Sequence, residues 1–110
     1  MRQIFIFSPI DEWMSQFVVK QLLDMDRASS DEITIFINSP GGYLSQMFAI
    51  IDTIKIIKSP VRTVVMGIAA SAAACLASAG KTRLIAPTAQ IMIHEASGGA
   101  FGSISEMQET

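Results

Sequence analysis

The chain has 110 residues, half of them apolar and only 16% charged, with a net charge of -2 and a single cysteine, Cys75. That length supports one domain with a real core, and the slight acidic excess excludes the basic footprint that nucleic-acid binding requires. One cysteine excludes an internal disulfide and a multi-cysteine zinc site, and it suits a reducing cytoplasm.

Such an apolar composition leaves little polar surface, so part of the exterior is expected to be buried against other subunits. The opening run Ile4 to Phe7 is too short for the apolar region of a signal peptide, and Ser8-Pro9 ends it. The longest weakly polar stretch, Val64 to Ala79, falls short of a bilayer span. A soluble, cytoplasmic protein is expected, with no membrane partner.

Ile4 to Phe7 reads as a short buried strand. Asp11 to Ala28 has helical spacing, with Trp13, Phe17, Val18, Leu22 and Met25 on one face. The polar connector Ser29 to Glu32 leads to a β-branched strand, Ile33 to Ile37, which the turn Asn38-Ser39-Pro40-Gly41-Gly42 ends. From Leu44 the period is helical again through Ile57, until Ser59-Pro60 stops it.

Val61 to Met66 reads as a third strand and Gly67 as a tight turn. The alanine-rich segment Ala70 to Ala79 follows as a helix that Gly80 terminates. Arg83 to Ile85 and Gln90 to Ile93 are two further short strands. A glycine-rich loop, Ser97 to Gly102, precedes a capping box, Ser103-Ile104-Ser105-Glu106, that predicts a helix running on to Thr110. Strands alternating with helices imply right-handed βαβ crossovers and a mostly parallel sheet, an α/β fold.

Ser71 lies at a strand-to-helix turn among small residues, Gly67-Ile68-Ala69-Ala70-Ser71-Ala72-Ala73-Ala74, which would let a peptide carbonyl approach its hydroxyl. A serine is a weak nucleophile until a base takes its proton. The only histidine, His94, at the end of the run Ile91-Met92-Ile93, is the candidate base. At a helix start the Ala72 N–H can point at a developing oxyanion. A serine that simply caps a packing helix accounts for the local sequence as well, and a hydrogen-bonded structural histidine accounts for His94.

Gly41-Gly42 after a strand lets backbone N–H groups approach a ligand, which makes Gly42 a second oxyanion donor and Tyr43-Leu44 an edge for an extended peptide. An ordinary turn is the plain alternative. Ser97 and Gly98-Gly99 can pair with substrate backbone by strand addition or form a surface loop. Cys75 reads as a small buried hydrophobe rather than a nucleophile. No phosphate loop, metal-ligand spacing or dinucleotide fingerprint occurs, so neither metal nor cofactor is expected.

Together these residues resemble the ClpP family, the proteolytic subunits of ATP-dependent Clp proteases. Ile37-Asn38-Ser39-Pro40-Gly41-Gly42 is similar to that family's most recognisable motif, Gly67 to Ser71 to its nucleophile segment, and Met92-Ile93-His94 to the segment carrying its base. All three stand in the family's order. The resemblance implies a ClpP/crotonase-type fold of stacked βαβ units, with Ser71 as nucleophile, His94 as general base and the N–H groups of Gly42 and Ala72 as oxyanion hole. Substrate polypeptide would lie extended between the segment of Gly41, Tyr43 and Leu44 and that of Ser97 and Gly98.

Stacked heptameric rings enclosing a chamber, fed by an AAA+ unfoldase, are also implied. Where the family usually has methionine-glycine after the nucleophile, this chain has Ala72-Ala73. The family's triad aspartate lies well past its histidine, beyond the position of Thr110. Residues 1–110 are therefore expected to be one ClpP-like domain lacking the C-terminal part of the family fold. Two other readings compete: a catalytically impaired ring subunit, and a crotonase-like enzyme acting on acyl-CoA thioesters.

Overall fold

The computed structural model describes residues 2–93 and the backbone of residues 108–109. Its elements are β1 (Gln3–Ile6), α1 (Glu12–Ala28), β2 (Ile33–Ser39), α2 (Leu44–Ile56), β3 (Val61–Ala70), α3 (Ala72–Ala77), β4 (Thr82–Ile85), β5 (Gln90–Met92) and β6 (Gln108–Glu109). All pairings are parallel, in the order β1-β2-β3-β4-β6, with β5 also paired to β3. The mixed α/β architecture with a parallel sheet is thus the expected one.

Period-two alternation decides which side of each strand meets the helices. Ile4 and Ile6 of β1, Ile33, Ile35 and Ile37 of β2, and Val61 and Val65 of β3 are buried in one cluster with Val18, Leu22, Met47, Ile50, Ile54 and Leu76. Ile4 to Phe7 was expected to be a buried strand. Instead Phe5 and Phe7 are half exposed, Phe5 stacking on Phe36 at a centroid distance of 5.1 Å. β1 is the sheet's first strand and only one of its faces meets helices.

The helix ends follow local chemistry. Asp11 caps α1, its Oδ1 accepting from the Met14 N–H at 2.8 Å. The Ser29 N–H closes the other end on the Met25 carbonyl. The buried side of α1 is Ser15, Val18 and Leu22, and Ser15 Oγ donates to the Gln46 carbonyl on α2. Trp13 and Phe17 do not join that face: they are 82% and 56% exposed. Helical spacing finds an apolar stripe, but the close approach of α1 to α2 at Ser15 rotates the contact away from the two large rings.

β3 departs from expectation. It runs on through Gly67 to Ala70, because Ile68, Ala69 and Ala70 pair with Gln90, Ile91 and Met92. Gly67 is therefore a bulge inside the strand, not a turn, and α3 is shortened to six residues. Helix propensity of alanine is outweighed by the backbone ladder with β5.

The capping box at residues 103–106 lies outside the described residues. Its predicted helix does not extend to residues 108–109, which pair with Leu84 and Ile85 as β6. β4 otherwise offers that edge unpaired, and ladder hydrogen bonds there compete with local helix preference. No helix among the described residues is long and apolar enough to cross a membrane.

Candidate active site

The turn between β3 and α3 holds its residue in an unusual conformation. Ser71 has φ 56° and ψ -120°, and it is the only non-glycine residue with positive φ among those described. Such a conformation costs about 1–3 kcal/mol and persists only where surrounding contacts impose it. Here the Ser71 N–H donates to the Met92 carbonyl at 2.8 Å, while the Ser71 carbonyl accepts from Ala74 and Cys75 at 3.0 and 3.3 Å. Both peptide groups flanking the strained Cα are thereby held.

The Ser71 side chain does not cap α3. A serine retained for helix capping would accept, through its hydroxyl oxygen, from a first-turn N–H. Ser71 instead stands uncapped in a strained strand-to-helix turn, the backbone setting that also carries the nucleophile of α/β-hydrolases. Ala72 and Ala73 on its far side are fully buried.

The Ser39–Gly42 turn packs against this residue. Gly41 has φ 106°, and a Cβ there would stand 2.7 Å from the Ala70 carbonyl oxygen, 3.1 Å from the Ser71 Cβ and 3.2 Å from the Ala72 nitrogen. Only glycine allows that approach. The Gly41 N–H is satisfied by Ser39 Oγ at 3.1 Å, and its carbonyl accepts from the Ile10 N–H at 2.8 Å. Tyr43 N–H donates to the Ile10 carbonyl at 3.0 Å, completing a parallel bridge between Ile10 and Gly42.

In such a bridge the middle residue's own N–H faces away from its partner. A Cβ at Gly42 would overlap the Ile10 carbonyl, so glycine is required here too. Among the described residues, neither the Gly42 N–H nor the Ala72 N–H has a hydrogen-bond acceptor. Among the described residues both donors are therefore unpaired, Ala72 directly after Ser71 and Gly42 directly after the Gly41 that packs on it.

Of the residues singled out in the sequence, Ser71, Gly41 and Ala72 meet in space, with Gly42 next in chain. Gly41 is buried, whereas Gly42, Tyr43 and Leu44 are exposed beside it. His94, Ser97 and Gly98 lie outside the described residues. The strand leading toward His94, β5, is hydrogen-bonded along the last three residues of β3. Cys75, one helical turn past Ser71, is half-buried beside Phe48, Ile51 and Ser78 in a cleft of about 430 Å³. Burial pushes its thiol up against a weaker opposing pull from Lys55, which disfavours the reactive thiolate.

One participant was not singled out: Ile10, which anchors the glycine turn. Asn38 and Gly67 were placed in turns, whereas the Asn38 Oδ1 accepts from the Ile68 N–H at 3.2 Å inside the sheet and Gly67, with φ 73°, lies within β3. A glycine inside a β-branched run is a bulge signal, so Gly67 was legible in principle. The Ile10 contact joins distant parts of the chain and has no local signature.

A family model described as Clp protease matches residues 1–110. The chain belongs to the Clp protease family. It is 41% identical over 109 residues to the ATP-dependent Clp protease proteolytic subunit of Carsonella ruddii (strain PV), covering 97% of this chain and 56% of that protein. Its fold matches the ClpP protease catalytic domain from Plasmodium falciparum in a crystal structure, with a TM-score of 0.84 and 35% identity over 87% of this chain and 55% of the other. The Clp protease chain described here thus spans about half the length of the relatives it matches.

Proposed function

We propose that this Clp protease chain carries the nucleophilic half of a serine endopeptidase site that cleaves unfolded polypeptides. The observation that carries the reading is the strained, uncapped Ser71 packed against Gly41, where the Gly42 and Ala72 N–H groups have no acceptor among the described residues. Ser71 Oγ attacks the scissile carbonyl carbon while His94 takes its proton. The Gly42 and Ala72 N–H groups hold the resulting oxyanion, a contribution worth about 10²–10³ in rate per donor in such sites. Collapse breaks the C–N bond as His94 returns the proton to the amine, and water then releases the acyl group from Ser71.

Substrate lies extended along the exposed segment Gly42 to Leu44 on one side and Ser97 and Gly98 on the other. Exposed large apolar side chains support assembly into an oligomeric ring: Trp13, Phe17, Phe48 and Ile56 all stand more than half out of the surface, and large exposed apolar side chains mark interaction surfaces when they cluster. An AAA+ unfoldase feeding such a chamber in the cytoplasm completes the reading.

Labelling with a fluorophosphonate probe tests it. Oligomeric protein should be labelled at Ser71, and a Ser71→Ala variant should not. Equal background on both would overturn the assignment of Ser71 as a nucleophile.

A further inference from the structure

β3 carries more residues than β2 can pair. Ile37 pairs with Val65 and Ser39 with Ala69, so Asn38 alone stands opposite Met66, Gly67 and Ile68. The bulge also marks where β3 changes neighbour. Arg62 to Val65 pair with β4, whereas Ile68 to Ala70 pair with β5. The Ser71 N–H continues the second ladder to Met92. The ladder that holds the Ser71 N–H therefore begins past this irregularity.

The Asn38 side chain fills the gap. Its Oδ1 accepts from the Ile68 N–H at 3.2 Å, the first residue of the new ladder. A Cβ at Gly67 would lie 2.6 Å from the same oxygen and 3.0 Å from Asn38 Cγ, so the amide rests directly on the Gly67 backbone. A side-chain carbonyl here stands in for the backbone acceptor that the missing β2 residues would have supplied. Asn38 immediately precedes Ser39 and the Gly41-Gly42 turn, so one residue ties the bulge to the turn that packs on Ser71.

We propose that Asn38 is a positioning residue: its side-chain carbonyl fixes the β3 bulge and thereby the placement of Ser71 against Gly41. Its consequence for catalysis rests on the reading of Ser71 as nucleophile, and Asn38 acts through the bulge rather than on the reacting atoms. Asparagine suits the position because its amide reaches across one residue and carries no charge into a half-buried place. An aspartate keeps the acceptor; an alanine does not.

The test uses the full chain with Asn38→Ala, Asn38→Asp and Ser71→Ala. Amide hydrogen exchange reads the bulge whether or not the protein turns over. In Asn38→Ala, amides from Ile68 to Ser71 should exchange about tenfold faster, the scale of one lost hydrogen bond, while those of α1 keep their rates. Asn38→Asp should restore protection to within about threefold. Fluorophosphonate labelling and peptide hydrolysis read the consequence: Asn38→Ala should lower kcat by on the order of 10², as misplacement of a reacting group does, with KM within about twofold and most of kcat recovered in Asn38→Asp.

Unchanged exchange at residues 68–71, acceleration that extends through α1, or a raised KM with kcat intact would each overturn the proposal. If wild-type protein labels no better than Ser71→Ala, the peptidase reading has failed. The exchange result then decides the role of Asn38 by itself.

Discussion

Gly41 packs tightly on Ser71: a Cβ on Gly41 would be 3.1 Å from the Ser71 Cβ and 2.7 Å from the Ala70 carbonyl oxygen. The two residues come from different strand ends, and their contact joins a positive-φ glycine to a positive-φ serine. Each is locally unfavourable or permissive for a reason that only the other explains. The glycine accepts φ 106° freely, and the serine is held at φ 56° by the ladder to Met92.

Gly41→Ala tests this contact. The added Cβ would meet the Ala70 carbonyl at 2.7 Å in a backbone conformation that disfavours it, and both strands are too well paired to yield. A loss of about 3 kcal/mol is expected from overpacking and strain combined. Urea unfolding should show the midpoint fall, together with loss of probe labelling at Ser71.

Ser71→Gly should separate strain from chemistry. Glycine adopts φ 56° at little steric cost, which recovers part of the strain, while its freedom in the unfolded chain takes some back. The net expectation is a variant about 1 kcal/mol more stable, with Tm raised by about 4 °C and no probe labelling. Ser71→Ala should remove labelling without that gain. A Ser71→Gly protein that melts lower than wild type would show that the turn is not strained.

Thr63 Oγ1 donates to the Ala77 carbonyl at 2.6 Å, fully buried between β3 and the end of α3. Thr63→Val keeps the volume and leaves that carbonyl unsatisfied, at a cost of about 1–3 kcal/mol. Chemical denaturation should register the loss. Because α3 follows Ser71 directly, labelling should slow as well.

Acid should weaken one clasp in particular. Asp26 accepts from the Ser59 N–H and Oγ, both at 2.9 Å, and from the Lys58 N–H at 3.1 Å. The Ser59 backbone bond, then the Ser59 hydroxyl and the Lys58 N–H and charge, hold its carboxyl below the ordinary 3.8, against a smaller rise from desolvation. A lowered folded-state value means stability that is complete above pH 3.8 and is lost as pH falls from there through the folded value. Unfolding free energy measured from pH 6 down to pH 2 should decline over that acid window, and Asp26→Asn should flatten the decline. An identical acid limb in both proteins would remove Asp26 from the account.

Much of this protein is legible along the chain because its signals are local. The β-branched apolar run Ile33–Ile37, the Asp11 cap, the break at Ser59-Pro60 and the doubled glycine after Asn38 each depend on residues within a few positions of one another. Together they determine the βαβ order and bring forward Ser71 as the nucleophile candidate. Tertiary structure decided the rest. β5 pairing carried β3 through Gly67 to Ala70 and cut α3 short, because a ladder between segments 22 residues apart outweighs alanine's helix preference. Contact at Ser15 turned Trp13 and Phe17 outward.

The same holds at the candidate site. Sequence marks Ser71 as a serine among small residues, which also describes a helix cap. Its strained φ, its uncapped side chain and its contact with Gly41 exist only because Met92, Gly41 and Asn38 arrive there from three other strands or turns. Local patterns can nominate a residue, since propensity acts over a few positions. Strain can be imposed only by partners far away in the chain, and those partners are what the fold supplies.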